Sequence, residues 1–414
     1  MSNIQIIYKS NFHPIKIIKN YITNSFDTWE QRKLGEHTTL ITKGTTPKDR
    51  SSKGNINFVK VENVFNGKIF PVTQISKEEH EKYLKRSKLE ADDILFSIAG
   101  TLGRTAIVRE SILPANTNQA LAIIRGYDFN TNFLITSLSG HVVAKFIRKN
   151  PTIGAQPNLS LEQVGNLMIN SPSKYEQQEI GTFFKQLDDT IALHQRKLDA
   201  LKQMKKGFLQ QLFPKNGEKV PKVRFANFEE KWMECKLGEI ADIYDGTHQT
   251  PKYTESGVKF VSVENVTTLE TKKYISQEAY EKEYSKKQAK KGDVLMTRIG
   301  DIGTSRVIET DVVLAYYVTL ALLKPKSTDS NFLAWQIASP EVQRDIWKRT
   351  LHIAFPKKIN LGEINQVNVF VPIKKEQQKI GTYFKQLDKT IAIHQKKLDK
   401  LKLLKKAYLQ NMFI

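Results

Sequence analysis

The chain has 414 residues, room for two to four domains, and 40 % of them are hydrophobic. Sixty-four Lys and Arg against 43 Asp and Glu leave a net charge of +21, a field that attracts polyanions, nucleic acid first and an anionic membrane surface second. The lone Cys235 excludes an intrachain disulfide framework and a Cys-ligated zinc; no run approaches 18 apolar residues, and residues 1–19 lack a signal-peptide core, so a cytoplasmic protein with no membrane partner is expected.

In chain order, residues 1–25 form an N-terminal extension and 26–175 a first globule. Phe58–Val64 alternates as a half-buried strand does, Asp93–Val108 reads as a strand followed by a Gly-containing turn, and Leu121–Ile124 as a buried strand. Helices fit Lys77–Lys88 and Phe133–Lys149. A long helix over 176–214 and a polar linker over 215–224 come next. The second globule, 225–375, has strands at Phe260–Val266, Asp293–Ile308 and Val318–Leu323, and helices at Gln277–Lys287 and Phe332–Lys348. A second long helix covers 376–414. The expected class is α+β: two mixed α/β globules and a two-helix antiparallel coiled coil in a pseudo-twofold tandem repeat.

The repeat has a period of 200 residues. Segments 176–214 and 376–414 share 26 identities in 39 ungapped positions. The strand-and-turn segments 93–108 and 293–308 share only 4 in 16. Trp29 and Lys33-Leu34-Gly35 answer Trp232 and Lys236-Leu237-Gly238. The globules have diverged while the helices have been held to a common geometry or partner.

Each helix carries a heptad seam. Ile180, Phe184, Leu187, Ile191, His194, Leu198, Leu201, Lys205, Phe208 and Leu212 step by 4 and 3, and the same steps run from Ile380 to Met412. Ser173-x-x-Glu176 reads as a capping box, and Pro214 and Gly217 as a stop. Connectivity makes the helices antiparallel, each ~58 Å long. His194 and His394 are expected to meet near the pseudo-twofold axis, as a polar register-setting pair or as a pH-sensitive or metal-binding couple. Lys205 and Lys405 are expected to snorkel out of the seam.

The chain lacks the phosphate-loop, H-E-x-x-H, G-x-S-x-G and G-x-G-x-x-G signatures, and its eight histidines are scattered. No catalytic residue, metal ligand or cofactor of its own is expected. Most of the positive charge lies outside the long helices. One pair of loops, Lys43–Arg50 and Asp245–Lys252, offers Lys43, Thr45, Thr46, Lys48 and Arg50, then Thr247, His248, Gln249 and Lys252, as DNA contacts. A second pair, Gly100–Thr105 and Gly300–Arg306, offers Arg104, Thr105, Arg298, Thr304 and Arg306, with arginine suited to guanine. Within Asn116–Gln119, Asn118 and Gln119 suit adenine. Plain solvated turns use the same residue types.

The outer faces of the helices repeat as well. Gln177, Gln178, Thr182, Lys185, Gln186 and Gln195 recur as Gln377, Gln378, Thr382, Lys385, Gln386 and Gln395. Two copies of one partner docked symmetrically would need this; slow drift after duplication is the alternative.

On these residues the sequence resembles the specificity (S) subunit of type I restriction-modification systems. The carriers are the twice-found E-Q-x-x-I-G and L-D-x-x-I helices, the G-T-T-P and T-P-K loops, the D-I-L-F-S segment, and Ile153-Gly-Ala-Gln-Pro-Asn-Leu159. The resemblance implies that 26–175 and 225–375 are target-recognition domains, each reading half of a bipartite, asymmetric site in double-stranded DNA. It implies that the helices set the spacing and dock two modification (methyltransferase) subunits, with two restriction (translocase/endonuclease) subunits joining them. S-adenosylmethionine, ATP and Mg would belong to those partners. A standalone DNA-modifying enzyme and a coiled-coil structural adaptor are the rival readings.

Overall fold

The computed structural model describes residues 29–48, 54–65, 67–149, 158–215, 217–249 and 251–413. The N-terminal extension and Arg50 lie outside them. The chain divides into two compact units, Met1–His194 with Lys397–Ile414, and Gln195–Lys396. The division falls inside the long helices, so each unit holds one globule, the start of one helix and the end of the other.

Both units share one topology. In the first, an antiparallel sheet orders Thr38–Lys43, Leu121–Tyr127, Ile94–Ser97 and Thr105–Ile107. In the second, Ala241–Asp245, Leu320–Pro325, Val294–Thr297 and Ser305–Val307 repeat it. Alternation along the central strands separates two cores: Ile94 and Phe96 enter one, Leu95 the other. Val294, Met296 and Leu295 do the same 200 residues on. A smaller sheet in each unit pairs Ile56–Val59 with Ala115–Thr117, or Val258–Val261 with Leu314–Tyr316, in parallel. A two-stranded ribbon joins each globule's beginning to its end, Glu30–Lys33 with Met168–Ser171 and Met233–Lys236 with Asn368–Val371. Cys235 lies in the second ribbon, where burial pushes its thiol up to about 11, so it packs as a neutral side chain.

Local chemistry corrects several expected elements. Val61–Asn63 and Val263–Asn265 are 3-10 turns, not strand, because Asn63 and Asn265 accept from the backbone N–H of Lys60 and Ser262 (2.8 and 2.7 Å). Each of the two longer globular helices is broken in two, at Ser139-Gly140 and at Ser339-Pro340. Lys77–Lys88 holds only short turns.

The long helices run Lys174–Gln211 and Lys374–Asn411. Ser173 Oγ accepts from Glu176 N–H (3.3 Å), the expected cap. Within the first unit Phe183 meets Tyr408 and Lys405 pairs with Asp188 (2.5 Å). Within the second, Phe208 meets Tyr383 and Lys205 pairs with Asp388 (2.6 Å). Partner numbers fall as helix numbers rise, so the packing is antiparallel. The two seam lysines therefore do not snorkel to solvent: each reaches an aspartate on the facing helix, and Lys205 also lies over Trp335. His194 belongs to one unit and His394 to the other.

One joint holds each long helix to its globule. Gln177 Oε1 accepts from Asn130 N–H (3.0 Å), and Gln377 Oε1 from Asp329 N–H (2.9 Å). Asn130 and Asp329 cap the helices Thr131–Leu138 and Ser330–Ile337. Gly181 and Gly381 let these caps sit against the long helix; a Cβ there would approach Asn130 Oδ1 to 2.6 Å and Asp329 Oδ1 to 2.7 Å. An aromatic plug completes the joint. Phe413 packs on Trp29, Phe133 and Phe184, and Phe213 on Trp232, Phe332 and Phe384, at centroid distances of 5.9–6.1 Å. In the second unit Arg224 also forks onto buried Glu376 (2.8 Å).

Gly181→Ala and Gly381→Ala are each expected to destabilise the protein by ~1–3 kcal/mol, because the clash is with a cap and a backbone N–H that cannot give way. Chemical denaturation of the two variants checks this against Gly207→Ala, where a Cβ meets nothing.

Candidate nucleic-acid interface

In the first unit, loop Lys43–Lys48 leaves the end of an edge strand. Gly44 lies directly against the carbonyl of Thr117, leaving no room for a Cβ, and Thr45 N–H donates to the same carbonyl (3.0 Å). Thr46 Oγ1 donates to Gln119 Oε1. The sequence-predicted Lys43, Thr45, Thr46, Lys48 and Gln119 thus stand together and exposed, with Asn118 half-buried among them. Lys48 lies over the Tyr83 ring at 3.9 Å. Arg104 is half-buried and donates to the Val61 carbonyl (3.2 Å).

Asn116 is instead buried. It faces His80 Nδ1 at 2.5 Å and donates to the Leu84 carbonyl (2.9 Å), so it holds the fold and reads no base. Thr105 is also buried, its hydroxyl engaged with Ser139 (2.8 Å). Asp93 lies at the root of this sheet, gripped by Arg125 (2.7 and 2.6 Å), whose guanidinium it holds in the charged form.

The second unit repeats the design with other side chains. Gly246 touches the Tyr317 carbonyl, and Thr247 N–H donates to Tyr316 O (3.2 Å). Tyr316 and Tyr284 pack beneath with their rings tilted, and burial raises both phenols well above their usual range, so they stay neutral donors. His248, Gln249 and Lys252 are exposed; His248 contacts Asp245 (2.7 Å).

Two residues expected to touch DNA here are internal. Thr247 is only 4 % exposed. Arg298 is 6 % exposed, with its guanidinium on Asp245 (2.5 Å), the Val318 carbonyl (3.4 Å) and the Ile359 carbonyl (3.2 Å). It is a keystone joining three loops, not a guanine reader. Thr304 turns its hydroxyl to Asp301 (2.7 Å). Arg306 lies on strand Ser305–Val307, in a cleft with Lys259, Glu270 and Glu309.

The loops joined by Arg298 include one that sequence reasoning missed. Hairpin Leu351–Lys358 closes through Leu351 N–H to Lys358 O (2.8 Å) and meets the glycine loop through Gly300 N–H to Lys357 O (2.9 Å). Its signal was present: it is the counterpart of the Ile153–Leu159 segment that carried the family resemblance, most of which lies outside the described residues.

On the helices, Gln177 and Gln377 are buried in the joint and therefore not open to a partner. Gln178, Lys185, Gln186, Gln378, Thr382, Lys385 and Gln386 are exposed, and Thr182, Gln195 and Gln395 are half-buried. Lys185 pairs with Asp189 (3.1 Å) and Lys385 with Glu309 (2.9 Å).

The fold and loops define a tandem-duplicated protein with two differently lined loop clusters on one framework. Residues 27–203 and 229–403 each match the family model for the type I restriction modification DNA specificity domain, and the chain belongs to that family. It is 24 % identical over 265 residues to the type I restriction enzyme MjaVIII specificity subunit of Methanocaldococcus jannaschii, covering 60 % of this chain and 62 % of that one. It is 34 % identical over 141 residues to the EcoBI specificity subunit of Escherichia coli, covering 33 % and 29 %. The aligned regions thus span less than two thirds of these relatives. The fold resembles the crystal structure of the S subunit from M. genitalium with a TM-score of 0.64, at 14 % identity, over 95 % of this chain and 98 % of that one. Among the described residues no helix is long and apolar enough to cross a membrane.

Arg298→Ala leaves the half-buried Asp245 without its cation and is expected to cost about 3 kcal/mol. Arg298→Lys recovers little of it, because a lysine lacks the fork. Arg104→Ala removes one hydrogen bond to a backbone carbonyl and is expected to cost only ~0.5–1.5 kcal/mol. Urea denaturation of the three variants orders them.

Proposed function

We propose that this chain is the non-catalytic, sequence-reading subunit of a type I restriction-modification complex acting on cytoplasmic DNA. Each globule reads one half of a bipartite, asymmetric site. The observation that carries this reading is two copies of one specificity domain in a single chain, alike in framework and unlike in their loops. Lys43, Thr45, Thr46, Lys48, Arg104, Asn118 and Gln119 serve one half-site, and His248, Gln249 and Lys252 the other. Unlike readers require unlike half-sites, whereas a symmetric homodimer would read a palindrome.

The unbroken long helices fix the spacing between half-sites by residue count, and their exposed repeated residues dock two modification subunits. Those subunits bring S-adenosylmethionine and methylate adenine; two restriction subunits add ATP- and Mg-dependent translocation and cleavage. The domain boundaries 26–175 and 225–375 belong to the same reading.

Exchanging residues 26–175 for those of a relative, then mapping methylated adenines in the host genome, tests this. One half of the recognised sequence is expected to change while the other half and the gap stay. A change in both halves overturns modular reading. Methyl transfer or cleavage by the purified chain alone would make it a standalone enzyme; specific binding at no site, even with partners, would leave it a structural adaptor.

A further inference from the structure

We propose that Phe355, at the tip of hairpin Leu351–Lys358, is an apolar wedge that enters a base step of the half-site read by the second globule. This rests on the DNA-reading function proposed above. Single exposed apolar residues are ordinary, but this hairpin carries three: Leu351 at its base, Ile353, 99 % exposed, and Phe355, fully exposed. Trp347 beside them is 54 % exposed.

The hairpin is held rather than loose. Its ends pair through Leu351 and Lys358, His352 Nε2 donates to the Trp347 carbonyl (2.9 Å), and its ring packs on the Trp347 indole at 4.2 Å. Ile359 N–H donates to the Arg298 carbonyl (2.9 Å), which fixes the hairpin beside loops 245–249 and 298–304. Its surroundings select a polyanion. Lys357 lies over Trp347 at 4.5 Å, Lys358 comes next in the chain, and Lys348 is exposed on the preceding helix. An apolar tip between cations suits a groove, where lysines meet phosphate and a ring unstacks a step. The opposite partner, an apolar protein surface, would leave those ammonium groups to be desolvated. Ala155 stands at the matching sequence position of the first globule, so only one half-site is wedged.

The test uses the full chain with its modification subunits and a duplex bearing the mapped site. 2-Aminopurine is placed beside, not at, the methylated adenine in each half. Phe355→Ala is expected to weaken binding about 10-fold, as loss of one base–aromatic contact does. It should leave the salt slope unchanged and remove the 2-aminopurine enhancement in one half only. Phe355→Leu retains most of both signals. Lys357→Ala and Lys358→Ala each reduce the salt slope by about one. Wild-type affinity and an unchanged 2-aminopurine signal in Phe355→Ala overturn the wedge while leaving the DNA-reading function intact. So does loss of the modification subunits from that variant, which would make the tip a protein contact. A wild-type complex that binds no mapped site overturns both.

Discussion

The structure depends on a joint in which a long helix is clamped across the capped start of a shorter one. The Gln177 and Gln377 side chains accept the cap-residue N–H groups, and Gly181 and Gly381 remove the Cβ that would push the two helices apart. Beneath the clamp, Phe413 or Phe213 fills the space between a tryptophan, a globule phenylalanine and a seam phenylalanine. Phe413 arrives from the end of the second long helix and Phe213 from the end of the first. The first globule's core is therefore completed only by the distant segment Lys397–Ile414, whereas the second closes within the single stretch Gln195–Lys396; for the first, the antiparallel return of the second long helix is a condition of folding.

This changes why the helices resemble each other so closely. Repeated positions such as Gln177, Gly181, Phe184 and Phe213 recur because each unit must close on itself, and no outside partner is needed to explain them. Under the proposed function, the exposed Lys185 and Gln186, with their counterparts, are what remains for a partner to hold. The globule loops are constrained at their bases, by Gly44, Gly246 and, in the second unit, Arg298, and much less in their exposed side chains. Gly44 and Gly246 fix where the backbone turns, and the side chains beyond each turn differ: Thr46 engages Gln119 in one unit, His248 engages Asp245 in the other. A constant frame with variable loops lets recognition change without refolding the protein.

Much of this was legible because periodicity is a one-dimensional signal. The seam, the antiparallel sense and several of the central strands come from spacing and connectivity, as does the approximate position of the loops. What was hidden depends on partners distant in sequence. Arg104 and Arg298 look alike beside glycines, yet Asp245 and the Ile359 carbonyl take up the second and not the first. The seam lysines gave no sign of the aspartates on the facing helix. Gln177 sits on the outer face by helical spacing, but the globule folds over that first turn and buries it. The Val-Glu-Asn turns were masked by an alternation that suits a strand equally well.

Closure of the first unit by the end of the second long helix is the central claim, and hydrogen exchange in Phe413→Ala tests it most directly. Removing a buried phenylalanine leaves a cavity costing ~3–5 kcal/mol. The account expects faster exchange in Thr131–Leu138 and Glu30–Lys33, with Ser330–Ile337 and Met233–Lys236 unchanged. Exchange that rises equally in both units, or in neither, would contradict it.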